Sequence, residues 1–413
     1  MNFNTALLHQ GVRVDEKIGA TVTPIYQSSA FAYPSAEELE KVFNNAAPGF
    51  TYSRINNPTV EAFERRITSL EGGIASVACA SGMAAISNAI LNLVESGDEI
   101  ISTPGIFGGT IELFKDLEAF GIKTVYISDG SPEDYERKIT DKTKLIFAEV
   151  IGNPKLDVLD IESVAKIAHA RQIPLLVDNT SASAFVVKPL SLGADIVINS
   201  SSKYINGSGN SISGIITDSG KFKWDAKRYQ RLAEYKKFGP FQYTAKLRNG
   251  LFRNTGACLS PQNAYLNLLG LETLGLRMER QCRNAGKLAA YLQTNPGIIR
   301  VNYPGLPESP WHEIAEKQFQ GYYGAILTFR AGSKERAYHI MNHLKYAYIA
   351  ANIGDTKLLV IHPDSTIYAH STKEEKLRAG VYPDLIRVSA GLEDIEDVIE
   401  DFKQAIISAQ SIN

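Results

Sequence analysis

The sequence predicts an α/β protein: a mostly parallel sheet covered by helices, followed by a smaller α+β unit. Three observations carry this. From about residue 60 to about residue 200, short apolar runs alternate with segments of helical period. The runs are apolar through their interiors with no polar alternation, as in strands buried on both faces. Beyond about residue 249 the alternation stops, and long helical periodicity gives way to scattered strands.

Taken in order, the chain up to about Ser53 reads as irregular, with Pro24, Pro34, Pro48 and Gly49 and one helix near 35–45. A segment of this composition lends itself to wrapping a neighbouring subunit. A helix over 60–70 follows, then a strand over 76–80 and a helix over 83–94. Strands at 99–102, 124–127 and 145–150 alternate with helices at 110–120, 132–139 and 161–172. Strands at 174–178 and 195–199 complete the series, and each βα unit places its strands parallel. In the last part a single long amphipathic helix is expected over 261–292, with strands at 325–329, 358–361 and 386–389 and helices at 334–344 and 394–409. The chain therefore divides into an arm (1–58), a large domain (59–249) and a small C-terminal domain (250–413).

Composition narrows the function. The 43 basic and 45 acidic side chains give a net charge of −2, with no basic stripe, which argues against nucleic-acid or anionic-membrane binding. Cys79, Cys258 and Cys282 lie far apart in sequence, with no CxxC pair and no histidine at ligand spacing. Neither a disulfide framework nor a metal site is expected, and reduced thiols suit the cytoplasm. His9, His169 and His362 are read as structural and Cys79 as core. The opening residues show no basic region followed by an apolar run, and no apolar stretch reaches the length of a membrane span.

The chemistry is concentrated in two strand ends. One is Val177-Asp178-Asn179-Thr180, the other Ser200-Ser-Ser202-Lys203-Tyr204. Open α/β sheets bind ligands beyond the C-terminal ends of their strands. An acid and a lysine there suit pyridoxal phosphate (PLP), whose aldehyde needs an amine and whose pyridine nitrogen needs a carboxylate. Ser200 and Ser202 are placed to hydrogen-bond a phosphate. Ser81-Gly82-Met83, between a strand and a helix, can bring backbone N–H groups to the same anion.

These segments, with Tyr52-Ser53-Arg54-Ile-Asn-Asn-Pro58-Thr59 and Ser81-Gly-Met-Ala-Ala85, match in order and spacing the Cys/Met-metabolism PLP enzymes, and the chain resembles that family over nearly its whole length. The resemblance implies the PLP fold-type I architecture, with a seven-stranded type of sheet, and a homotetramer of tight dimers that share active sites. It implies that Lys203 carries the cofactor and serves as catalytic base, and that Asp178 pairs with the ring nitrogen. Gly82, Met83, Ser200 and Ser202 would hold the phosphate, with Tyr52 and Arg54 reaching it from the neighbouring subunit. Tyr52 is a second catalytic candidate. Phe107 would stack on the ring, Arg387 would clamp the substrate α-carboxylate, and Asn153 would contact the cofactor's phenolic oxygen or the substrate.

Within the family, 259–265, 270–280, 355–363 and 379–387 are most similar to O-acetylhomoserine sulfhydrylases, and 206–214 and 220–224 lean the same way. One departure matters: the usual Tyr-Gly-X-Thr is Phe107-Gly108-Gly109-Thr110 here, and Gly109 replaces the cysteine of methionine γ-lyases. Phe107 offers a face but no acidic hydroxyl. A carboxylate leaving group has a conjugate-acid pKa of about 4 and departs unaided, whereas a thiolate, at about 8.5, is a poorer leaving group. The resemblance thus implies γ-replacement of acetate in O-acetyl-homoserine by sulfur. The sulfur source stays open among sulfide, a small thiol and a carrier protein's thiocarboxylate. The alternatives are a carbon–sulfur lyase and a cystathionine γ-synthase. A nicotinamide dehydrogenase is disfavoured, because in Gly207-Ser-Gly209 the third glycine of the dinucleotide fingerprint is replaced by Ile212.

Overall fold

The computed structural model describes residues 1–14, 18–128 and 130–412. Asp15, Glu16 and Lys17 within the expected arm, Asp129 within the expected large domain and Asn413 at the end of the expected C-terminal domain lie outside the described residues.

The large sheet contains β1 (Ala75–Cys79), β2 (Glu99–Ser102), β3 (Lys123–Tyr126), β4 (Thr143–Glu149), β5 (Leu175–Asp178), β6 (Ile196–Asn199) and β7 (Gly214–Asp218). Its order is β1-β7-β6-β5-β4-β2-β3. Neighbours from β6 to β3 are parallel, and β7 runs antiparallel to both β1 and β6. Six of the seven strands are those the sequence predicts; β7 was not expected. It follows the Lys203 loop with no helix between, so the alternation that marks the others is missing there.

Successive residues of the central strands enter opposite cores. Ile146, Leu175, Val177 and Val197 pack on one face, and Leu145, Phe147, Leu176, Ile196 and Ile198 on the other. This two-sided burial is why the interiors of these strands are apolar. The covering helices begin where the sequence supplies caps and prolines. Ser81 accepts the N–H of Ala84 at 3.0 Å at the head of Gly82–Leu91. Pro58–Glu71 starts with its proline in the first turn and ends on Gly72 at φ 75°.

A second sheet follows, made of β8 (Arg300–Asn302), β9 (Ile326–Arg330), β10 (Tyr348–Ile349), β11 (Leu359–Ile361) and β12 (Leu385–Ser389), in the order β10-β11-β12-β9-β8. Helices Lys334–His343 and Ile395–Ser408 pack beside it around a third core. Strands β8 and β10 were not expected, being too short to show a period.

Two further expectations need correction. The long helix over 261–292 is two helices, Pro261–Glu272 and Leu274–Gln293, broken at Thr273 (φ −112°, ψ 4°). The break encloses the backbone after Lys203. Gly270 lies against it so closely that a Cβ would stand 2.4 Å from the carbonyl oxygens of Ile205 and Asn206. Arg277 then donates to Tyr204 O and Gly270 O, each at 2.7 Å. The first residues are also not irregular: Phe3–His9 is a helix. Leu7 is buried in the protein's own core, and the Phe3 ring sits edge-on to Phe185 at 5.2 Å. Seven residues with two buried positions are too few to declare themselves by periodicity. The cysteines are free, although Cys79 and Cys258 face each other across a backbone bridge.

Candidate active site

Because β4, β5 and β6 are parallel, their C-terminal ends open on one side of the sheet. Glu149 and Asp178 are register partners at two of these ends. Strand β1 points the same way, and its continuation, Ser81-Gly82, meets the turn after β6. A Cβ on Gly82 would lie 2.7 Å from Ser200 Cβ and Oγ, and one on Gly214 would lie 2.2 Å from Ser81 O. The helix start and the lysine turn therefore touch only because these positions lack side chains.

Between these strand ends and β12 lies a cavity of about 380 Å³. Gly82, Met83, Phe107, Asn153, Asp178, Ser200, Ser202, Lys203 and Arg387 all line it. Residues more than 300 positions apart in sequence thus converge. Tyr52 and Arg54 do not. Tyr52 is 43% exposed, and the Arg54 guanidinium stands 5.4 Å from its ring centroid while donating to Arg253 O at 2.7 Å.

Lys203 Nζ donates to Asn352 Oδ1 at 2.6 Å. Burial, helped by the positive Arg387, lowers its pKa to about 8. The amine therefore has an appreciable neutral fraction near neutrality. Asp178 is buried and accepts the N–H of Thr180 at 2.9 Å. Burial raises its pKa and that of Glu149, where the Asp178 charge adds to the effect. Glu149 therefore stands where burial and its neighbour both disfavour charge. Its Oε1 accepts the N–H of Phe107 at 2.6 Å, which fixes that residue at the cavity wall.

Arg387 is buried on β12, and burial lowers its pKa to about 10. Its Nη1 donates to Asn153 Oδ1 and its Nη2 to Asn352 O, both at 3.0 Å. Its Nε has no partner among the described residues. Ser200 N–H donates to Thr180 Oγ1 at 2.7 Å. Ser202 Oγ donates to Ser213 O at 3.0 Å and accepts Ser213 N–H at 2.8 Å, so its only donor is already engaged. Gly82 and Met83 head a helix, and their N–H groups lack an intrahelical acceptor.

Sequence reasoning missed Asn352, Glu149 and Thr180. Thr180 belongs to the quoted Asp178 motif and Glu149 ends a recognised strand. Asn352 follows a two-residue strand and had no local signal. Gly354, at φ 74°, seats this loop on the lysine turn, where a Cβ would stand 2.6 Å from Tyr204 N. His169 and His362 make ordinary structural contacts, with Asp195 at 2.8 Å and with Ser365 and Pro383 O at 2.8 Å. Among the described residues there is no cluster of three or more potential metal ligands, and no helix long and apolar enough to cross a membrane.

The donor set fits pyridoxal phosphate. A lysine amine and a carboxylate converge on one cavity, a glycine helix start supplies free N–H groups, and an arginine fork is left partly unpaired. An aromatic face (Phe107) forms one wall.

Comparison with known proteins agrees. The family model for Cys/Met metabolism PLP-dependent enzymes matches residues 4–407. The chain is 41% identical to the O-acetyl-L-homoserine sulfhydrylase of Corynebacterium glutamicum, over 97% of this chain and 96% of that one. It is 40% identical to the homocysteine synthase of Schizosaccharomyces pombe, over 98% of each. The crystal structure of a putative O-acetylhomoserine (thiol)-lyase from Campylobacter jejuni, which carries an N′-pyridoxyl-lysine-5′-monophosphate residue, superposes with a TM-score of 0.95 at 34% identity, covering 98% of this chain and 100% of that one. Cystathionine γ-lyase from Lactobacillus plantarum, complexed with L-serine, gives 0.87 at 33% identity, covering 99% of this chain and 100% of that one.

Proposed function

The chain belongs to the Cys/Met metabolism PLP-dependent enzymes, and from that premise we propose that it replaces the acetate of O-acetyl-L-homoserine with sulfur to give L-homocysteine. The observation that carries this reading is the convergence of Asp178, Lys203 and Arg387 on one cavity whose aromatic wall, Phe107, has no hydroxyl.

Pyridoxal phosphate, when bound, supplies an electron sink for charge developed at the substrate's α-carbon. Lys203 is the residue that would hold it, with Asp178 at its ring nitrogen. Gly82, Met83 and Ser200 would meet its phosphate, and Ser202 lies beside them. Arg387 orients the amino acid by its α-carboxylate, and Asn153 and Asn352 hold the guanidinium in place. Lys203 Nζ, partly neutral near pH 7, takes the Cα proton, and Asn352 Oδ1 keeps that nitrogen over the site. Loss of a Cβ proton and departure of acetate from Cγ follow. Acetate needs no acid to leave, so a phenylalanine at 107 suffices. The sulfur nucleophile then adds at Cγ, and protonation completes the product.

In this reading 1–58 is an arm, 59–249 the cofactor domain and 250–413 the small domain. Tyr52 and Arg54, exposed and away from their own cavity, complete the phosphate site of a neighbouring subunit in a cytoplasmic homotetramer of tight dimers. The sulfur donor is sulfide, a small thiol or a carrier protein's thiocarboxylate.

Product analysis tests the proposal. The purified holoenzyme is given O-acetyl-homoserine with and without sulfide, and methionine alone. Homocysteine formed only with sulfide is expected. Release of 2-oxobutyrate from methionine would instead identify a carbon–sulfur lyase.

A further inference from the structure

Outside the lining of the cavity, a buried carboxyl reaches the ends of both site-bearing strands. Glu71 is the last residue of helix Pro58–Glu71 and is 3% exposed. Its Oε1 accepts from Asn199 Nδ2 at 2.8 Å and from Asn179 Nδ2 at 3.4 Å. Asn179 directly follows Asp178, and Asn199 ends β6 directly before Ser200. Asn179 is further anchored through Nδ2 to Val187 O at 3.1 Å and through its N–H to Ile198 O at 2.8 Å. Among the described residues two atoms of this group are buried without a partner, Glu71 Oε2 and Asn179 Oδ1.

Both orphans are acceptors if Glu71 is ionised, and a buried orphan acceptor is costly. A proton on Oε2 turns one of them into a donor. An acid and an amide pair through two hydrogen bonds, amide N–H to acid carbonyl and acid O–H to amide carbonyl; here the first half is made and the atoms of the second are the two orphans. We propose that Glu71 is a positioning residue acting in its protonated form, joining Asn179 and Asn199 so that Asp178 and the Lys203 turn keep a fixed separation. The inference rests on the assignment of Asp178 and Lys203 to the cofactor.

The electrostatics agree. Burial raises Glu71 to about 7, against the opposing effects of the two asparagine amides and of Lys188. Other nearby ionisable groups are engaged elsewhere. On its own helix, Glu64 pairs with Arg248 at 2.5 Å and Arg66 donates to Leu7 O. On β7, Asp218 accepts Gly220 N–H at 2.9 Å, and on β5 Asp178 is held by Thr180.

The test compares Glu71→Gln and Glu71→Ala holoenzymes with wild type, alongside Lys203→Ala and Asp178→Asn. Glutamine keeps an acceptor and places an N–H donor where the acid proton would be. Glu71→Ala should lower kcat by about 10- to 100-fold, as expected when reacting groups are displaced by an ångström or less. KM should change less than about threefold, because Arg387 sits on the other sheet. Glu71→Gln should recover most of that loss and the visible circular dichroism of the bound cofactor. The ratio of Glu71→Gln to wild-type kcat should also rise between about pH 6 and about pH 9, as the wild-type carboxyl ionises and the variant does not. That ratio needs only the glutamine variant to fold, and a flat ratio overturns the proposal. So does wild-type kcat in Glu71→Ala, or equal damage in both variants. If Lys203→Ala and Asp178→Asn stay active, it is the cofactor assignment that fails.

Discussion

Removing the Arg387 guanidinium should cost far more in turnover than in folding. Of its five N–H donors, two are spent on Asn153 Oδ1 and Asn352 O. Three remain, including the unpartnered Nε–H, and a carboxylate bound by a fork takes two. Hydrogen bonds to a charged group are each worth about 1.5–3 kcal/mol, so the pair is worth about 3–6 kcal/mol. At 1.4 kcal/mol per tenfold, Arg387→Ala should lower kcat/KM for O-acetyl-homoserine by about 10² to 10⁴. Arg387→Lys keeps the charge but loses the fork, and should fall about 10- to 100-fold. The assay is steady-state homocysteine formation at saturating sulfide, with the visible spectrum of the bound cofactor as control. That spectrum should persist, since Arg387 is assigned to the substrate. A second readout is independent of turnover. Arg387 helps hold Lys203 down at about 8, so in the apoenzyme Arg387→Ala should raise the Lys203 pKa. A loss in kcat/KM below about fivefold, with Lys203 unmoved, would refute the assignment.

Other perturbations probe other parts of the site. Gly354→Ala must accommodate a Cβ at φ 74° lying 2.6 Å from Tyr204 N and 2.9 Å from Lys203 C. The left-handed backbone alone costs about 1–2 kcal/mol, so thermal unfolding should shift down and kcat should fall; an unchanged enzyme would mean the 351–354 loop does not set the lysine turn. Phe107→Tyr restores an acidic hydroxyl, and the rate of 2-oxobutyrate release from cystathionine should rise relative to acetate replacement; a constant ratio would make residue 107 neutral in leaving-group choice. Arg54→Ala would remove the charge-assisted phosphate contact proposed for it, worth about 1.5–3 kcal/mol, and should weaken cofactor binding about 10- to 100-fold by equilibrium dialysis. Wild-type affinity would take Arg54 out of the shared site.

What the sequence disclosed and what it hid divide along a physical line. Strand ends were legible because a strand buried on both faces is apolar throughout and a βα repeat fixes its direction. Asp178, Lys203 and the Gly82 helix start could therefore be placed on one rim from local pattern, and resemblance added Arg387 and Asn153. Contacts set by neighbour order were hidden. Strand β7 has no preceding helix to mark it, and the break at Thr273 exists because Gly270 and Arg277 close around the Lys203 turn. Asn352 reaches Lys203 across 149 positions.

Glu71 shows that some of the hidden part does leave a trace. Val60, Phe63, Ile67 and Leu70 form the apolar stripe of its helix. Glu64 and Glu71 fall on the same stripe, one and four positions after Phe63 and Ile67 respectively, where an acid is costly unless something inside the protein meets it. For Glu64 the structure supplies Arg248 and the N–H of Ala78. For Glu71 it supplies only two neutral amides and a distant Lys188. Arg248 opposes the burial that raises the Glu64 pKa; an acid met by amides alone is best satisfied with its proton on. The stripe places both acids inside, and the partners of Glu71, Asn179 and Asn199 at 108 and 128 positions away, are what make it a brace for the site.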